Sequence, residues 1–265
     1  GVLGPAEGSS PRVVLIRTPD DIASIKVSEK KKEAVEEPKY GYKFPNDSVI
    51  KKPTNNPWKK SLSDTLKELE KSKKYSFPLG FADNKLITIN LNDFSHLTIT
   101  GNIISDKEFL LDTILTSLIA KNSHNDLKLV LVDGTSYLSY YENLQHLLAP
   151  VITSPDKAIS ALRWALSEMD RRFKLFAQAH VRDLESYNKI VKTDKLAQIL
   201  FVVNHLEDVV LYSLVEADDA VARLTSLGHK TGIHLIGTTN RYTKNEISEI
   251  VQSNIPNKVF FRLTS

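Results

Sequence analysis

Apolar residues along this chain recur in two rhythms. Some runs are apolar almost throughout, such as LKLVLVD (Leu127 to Asp133) and ILFVV (Ile199 to Val203), whereas longer stretches return to an apolar residue every third or fourth position. The short runs predict strands, and Leu86 to Leu91, Leu97 to Thr100, Ile233 to Thr238 and Lys258 to Arg262 join them. The longer stretches predict helices. Asp106 to Lys121 carries Phe109, Leu110, Ile114, Leu118 and Ile119 at helical spacing. A second helix starts at Ser154, an N-cap residue followed by Pro155 at the first helical position, and runs on through DKAISALRWALSEMDRRFKLFAQAH. On that helix Leu162, Leu166, Met169 and Phe173 form the expected buried stripe, with Arg171, Arg172 and Lys174 as solvated charges; Trp164 and Tyr187 read as core or helix-packing residues. Strands apolar on both faces, separated by helices, call for an α/β fold with a mainly parallel central sheet covered on both sides.

The front of the chain is less patterned. Residues 1 to 10 are small, Gly-rich and without rhythm, RVVLIR (Arg12 to Arg17) reads as a short strand, and Ser61 to Lys74 has helix character with Leu62, Leu66 and Leu69 on one face. Residues 1–75 are therefore expected to be a truncated, partly disordered appendage and linker, and 76–265 the main domain. Charge follows the same division: residues 1 to 75 carry 16 Lys/Arg and 11 Asp/Glu, the rest 19 and 21. The basic flanks of KKPTNNPWKK (Lys51 to Lys60) suit phosphate contact and equally suit a solvated linker. The chain has no cysteine, which excludes disulfides, thiolate metal sites and cysteine nucleophiles and fits a reducing compartment. No run reaches the roughly 18 to 20 apolar residues that cross a bilayer, so the expectation is a cytoplasmic protein without membrane contact.

In an open parallel sheet, ligands bind beyond the carboxyl ends of the strands. After Thr100 comes GNIISDKE. A phosphate loop of the form GxxxxGK[ST] supplies backbone N–H groups around the phosphates, a lysine for the β and γ groups and a hydroxyl for magnesium. Gly101 and Lys107 stand at the first glycine and the lysine, but Asp106 replaces the second glycine and Glu108 the hydroxyl. At an effective dielectric near 20, a carboxylate ~4 Å from a phosphate charge costs about 4 kcal/mol, which turns a micromolar binder into a millimolar one. Strong nucleotide binding is not expected. After Val203 come Asn204 and His205, where a nucleotide hydrolase needs an acid to hold magnesium and another to polarise water. Glu207 and Asp208 lie just beyond, with side chains expected to point elsewhere, and His205 reads as a hydrogen-bonded strand-end histidine rather than a base or ligand. Asp133, at the tip of its strand, is either functional or a cap for the next turn. Thr239 and Asn240 are expected to be exposed at the ligand-facing edge, suited to sensing a phosphate and equally to closing a turn.

FPLG (Phe77 to Gly80), HLTITG (His96 to Gly101), the block from Ala161 to Asn188, GIHLIGTTNR (Gly232 to Arg241) and NIPNKVFFRLTS (Asn254 to Ser265) together resemble the motor region of the FtsK/SpoIIIE family of double-stranded DNA translocases. KFPND (Lys43 to Asp47) resembles the end of the small α+β domain that precedes that motor. The resemblance implies a RecA-like P-loop NTPase fold with a small N-terminal α+β appendage, a ring-type homo- or hetero-oligomer with FtsK-like subunits, double-stranded DNA as a partner, and a role in chromosome segregation and cell division. The departures fall on the chemistry. The family's GTTGSGKS keeps Gly101, Ser105 and Lys107 but acquires Ile104, Asp106 and Glu108; its strand-end Asp-Glu pair becomes Asn204 and His205; its Asp-Pro-Lys becomes Asp133, Gly134 and Thr135; an arginine falls on His229. The expected reading is a retained fold with a degenerate nucleotide site, a pseudo-ATPase serving as a structural or regulatory subunit or passive DNA-binding element, with no cofactor and no metal. The alternative is a divergent ATP-dependent DNA translocase in which Lys107 grips phosphate, Glu207 or Asp208 supplies the acid and ATP and magnesium are bound. The sequence stops before the family's last motor strands and winged-helix module, so sequence-specific DNA reading is not expected.

Overall fold

A computed structural model describes residues 62–82, 85–101, 107–212, 214–240, 255 and 257–261. The expected strand at Arg12 to Arg17, the basic KKPTNNPWKK segment, and Ser105 and Asp106 of the expected phosphate loop lie outside the described residues. The chain divides into two compact units, one of residues 1–90 and 109–121, the other of residues 91–108 and 122–265.

The first unit holds helix α1 (Leu62–Glu70), strands β1 (Ser76–Ala82) and β2 (Lys85–Asn90), and residues 109–121 of helix α2 (Lys107–Lys121). β1 and β2 pair antiparallel, with a register shift between Pro78 and Gly80 where the imino acid removes a ladder donor. Lys121 Nζ donates to the Leu69 carbonyl at 2.6 Å and to the Ser72 carbonyl at 2.9 Å, closing the open C-terminal end of α1. Asn90 Nδ2 donates to the Lys74 carbonyl at 2.6 Å and the Ser76 hydroxyl at 2.9 Å, pinning the start of β1 to the end of β2.

The second unit is built on a parallel five-stranded sheet in the order β4 (Leu127–Asp133), β5 (Gln198–Asn204), β6 (Ile233–Thr239), β3 (His96–Thr100), β7 (Asn257–Phe260). All residues of β3, β5 and β6 are buried, as apolar-throughout strands require. Alternate side chains serve one face: Val130 and Val132, Ile199, Phe201 and Val203, and Ile233 and Leu235 join a core cluster with helices α3 (Pro155–Gln178), α5 (Leu206–Tyr212) and α6 (Leu214–Leu227). Leu129, Leu131, Leu200, Val202 and Ile236 point the other way and are buried too. Helix α4 (Leu184–Ile190) is capped by Asp183, whose carboxylate accepts from the Ser186 N–H at 2.8 Å. Gly232 turns the chain into β6 at φ 74°, and a Cβ there would lie 2.2 Å from Leu184 Cδ2, so no side chain fits.

Ser154 stands at the N-cap of α3 with Pro155 following it, as expected, and its hydroxyl bonds the Asp156 carboxylate. Two expectations about α3 change. Arg172 is buried rather than solvated: it sits in the stripe of Ala158, Leu162, Ala165, Met169 and Phe176, and its guanidinium donates to the Ala197 carbonyl at 2.8 Å, the Thr231 carbonyl at 2.7 Å and Glu168 at 2.8 Å. Trp164 is 41% exposed, not core. Tyr187 packs its ring on Phe176 with centroids 5.4 Å apart. Among the described residues no helix is long and apolar enough to cross a membrane.

Candidate functional site

Parallel pairing brings the strand ends into line. Asp133 lies opposite Asn204, Val203 opposite Gly237 and Thr100 opposite Thr239, so the residues following β3, β4, β5 and β6 share one edge of the sheet. Two linked clusters of side chains occupy that edge.

The first joins β4, β5 and β6. Asp133, fully buried, accepts from the Thr135 N–H at 3.0 Å, the Thr135 hydroxyl at 2.7 Å and the Leu138 N–H at 2.7 Å, so it caps the turn after its strand. It also accepts from Asn204 Nδ2 at 3.1 Å. Asn204 Oδ1 in turn accepts from the Thr238 hydroxyl at 2.6 Å, and Thr238 accepts from the His205 N–H at 2.9 Å. The amide at 204 is what lets this chain close: it donates to one neighbour and accepts from another, which a carboxylate cannot do.

The second cluster surrounds Lys107. Its side chain is fully enclosed, and Nζ donates to Asn240 Oδ1 at 2.5 Å. Burial pulls this ammonium below its ordinary range, while Glu108 and Glu207 pull the other way. His205 takes a left-handed backbone conformation (φ 59°), which turns the chain so that Glu207, expected to point away, comes back to the site. Glu207 Oε1 accepts from the Asn240 N–H at 3.0 Å and lies 3.6 Å from His205 Nδ1; Glu108 Oε1 lies 3.6 Å from His205 Nε2. The Glu108 and Glu207 carboxylates raise the His205 pKa to about 9. Glu207 is lowered in return, although burial opposes it. Asn240 Nδ2 stands 3.1 Å from His205 Nδ1, a bond only when that nitrogen is unprotonated. At that pKa the ring is cationic at neutral pH, held in two ion pairs, and the Asn240 contact is then not a hydrogen bond.

Lys107, Glu108, His205 and Asn240 are thus brought together, and Asp133 and Asn204 adjoin them through Thr238. Gly101 contributes its backbone, donating to the Thr239 carbonyl at 3.1 Å. Thr239 is buried rather than exposed, and Asp208 is exposed, as expected. Thr238 is the member that pattern reading missed, and Glu207, offered by the sequence only as the acid of the divergent translocase, lies at the site instead of pointing away. The only signal for Glu207 lies in the turn geometry at His205, which the sequence does not display. Among the described residues no group of three His, Cys, Asp or Glu could hold a metal ion.

The model of the FtsK/SpoIIIE family matches residues 63–214, more than half of the sequence. The chain belongs to the FtsK/SpoIIIE family. Among its relatives, the DNA translocase FtsK of Clostridium tetani is 35% identical over 208 residues, 77% of this chain and 28% of the relative. That of Caldanaerobacter subterraneus subsp. tengcongensis is 35% identical over 181 residues, 68% of this chain and 26% of the relative. The chain therefore spans about a quarter of the length of these FtsK translocases. Similar solved structures are the pCW3 conjugation coupling protein TcpA in monomer form with ATPγS (TM-score 0.65, 22% identity, 74% of this chain and 56% of that one) and the cytoplasmic domain of the Type VII secretion ATPase EccC of Thermomonospora curvata (TM-score 0.65, 19% identity, 80% of this chain and 26% of that one). The fold of this FtsK/SpoIIIE member is accordingly the α/β, RecA-like P-loop fold.

Proposed function

We propose that this chain is an FtsK/SpoIIIE-type motor domain that has lost ATP hydrolysis and serves as a structural or regulatory subunit, or as a passive double-stranded DNA-binding element, in a ring with FtsK-like subunits. The supporting observation is that Lys107, the group that should meet the β and γ phosphates, is already bonded to Asn240 and enclosed by a charge-balanced set of Glu108, His205 and Glu207. Magnesium-nucleotide fits this set poorly. Glu108 stands where a hydroxyl should bind the metal, and Asn204 offers an amide already committed to Asp133 and Thr238. Binding a triphosphate requires breaking the Lys107–Asn240 bond and bringing further negative charge against two carboxylates.

One observation favours the divergent ATP-driven translocase instead: Glu207 Oε2 is buried without a hydrogen-bond partner, and Glu207 is an acid at the right edge of the sheet. Calorimetric titration with Mg-ATP separates the two. The pseudo-ATPase reading expects a dissociation constant weaker than about 1 mM, and a value near 1 μM that is lost in Lys107→Ala supports the motor.

A further inference from the structure

At the opposite ends of the same strands three imidazoles converge. His96 opens β3, His234 is the second residue of β6, and His229 lies in the 3₁₀ turn Gly228–Thr231 that leads into β6. The ring centroids of His96 and His229 are 6.3 Å apart, and those of His96 and His234 are 6.5 Å apart. His234 is bonded on both nitrogens, to the Ser95 carbonyl and to the Gln198 side-chain amide, each at 3.1 Å. His96 is fully buried and makes a different kind of bond. Its Nδ1 accepts the backbone N–H of Leu235 at 3.0 Å, and Leu235 is the residue opposite it in the β3–β6 register. That nitrogen therefore carries no proton. The His96 proton is on Nε2, which faces the Thr225 backbone, a contact that favours the protonated ring, while His229 Nδ1 is buried without a partner. The titratable and charged groups acting on the three rings are one another, Lys230 on His229 and Arg172 on His234, all of them basic.

We propose that His96 is an acid-operated latch between the two central strands: a proton added to Nδ1 takes the lone pair that holds the Leu235 N–H and releases the start of β6 from β3. Burial and the neighbouring imidazoles hold His96 well below its ordinary pKa, and burial holds His234 at about 4. Once the start of β6 is released, His96 takes up a proton near pH 6.5, before it does in the paired strands. The β3–β6 pairing is thus fully held above that value and is lost as pH falls below it, by up to about tenfold in the local closing constant per pH unit.

Hydrogen exchange of the 265-residue chain from pH 7.5 to 5.0, corrected for the intrinsic pH dependence of exchange, tests this at the Leu235 amide. Wild type is expected to lose about tenfold protection per pH unit below pH 6, with little change at Val130 in β4. His96→Asn offers an amide oxygen near the Nδ1 position and does not titrate, so its Leu235 protection is expected to stay level. His229→Gln removes a basic neighbour and is expected to move the wild-type midpoint to higher pH. Level protection in wild type, the same loss in His96→Asn, or equal loss at Val130 would overturn the latch. If His96→Asn does not fold, an unmoved midpoint in His229→Gln overturns it.

Discussion

At position 204 an amide nitrogen sits 3.1 Å from the Asp133 carboxylate, and its oxygen takes the Thr238 hydroxyl. An aspartate there would set two carboxylates against each other and need a cation between them; the asparagine removes that need. His205 acts in the same sense one residue later. It places a positive ring between Glu108 and Glu207, where the charges of the site cancel without a bound ion. Because its pKa is raised to about 9 from 6.5, its contribution is fully present below pH 6.5 and is lost as pH rises through 9. Urea unfolding should show roughly 1–3 kcal/mol less stability at pH 9.5 than at pH 6.5, and His205→Gln should remove that difference. A difference of the same size in the variant would show that the ring does not bridge the acids. None of this was legible from residue type alone. The sequence displayed the missing acids, but the left-handed turn at His205 that returns Glu207 to the site is a backbone event with no marker such as glycine.

Among the elements, apolar rhythm located β3, β4, β5 and β6 and both long helices to within a residue or two, because strands buried on both faces leave little room for polar residues. It failed where that logic weakens. β1, SFPLGFA, is broken by proline and glycine and pairs antiparallel in a separate sheet, so it lacks the pattern of a central strand. On α3 the charge of Arg172 masked its place in the stripe, although its spacing of three from Met169 and four to Phe176 is that of a buried position. This arginine fastens α3 to the backbone before β5 and β6 through two carbonyls, and burial lowers its pKa as expected for an enclosed cation. Arg172→Ala should therefore cost about 3 kcal/mol, since it strands a buried acceptor at Thr231, a part-buried one at Ala197 and the Glu168 carboxylate, whereas Arg171→Ala breaks an exposed pair and should cost under about 1 kcal/mol. Equal shifts in the two urea midpoints would contradict this division.

Across the whole molecule, an FtsK/SpoIIIE scaffold carries strand-tip residues that satisfy each other. The sheet edge that in a working nucleotide hydrolase awaits phosphate and magnesium carries here an internal set of two cations and two anions, with Lys107 tied to Asn240. Scaffold and chemistry were legible to different degrees because the first is written in many apolar positions and the second in a few polar ones whose partners only the fold reveals. The most direct measurement is ATP hydrolysis in the presence of duplex DNA, run beside Lys107→Ala. Turnover indistinguishable from that variant is the expected result; DNA-stimulated turnover of about 1 s⁻¹ or more, abolished by Lys107→Ala, would contradict a motor without a hydrolytic cycle.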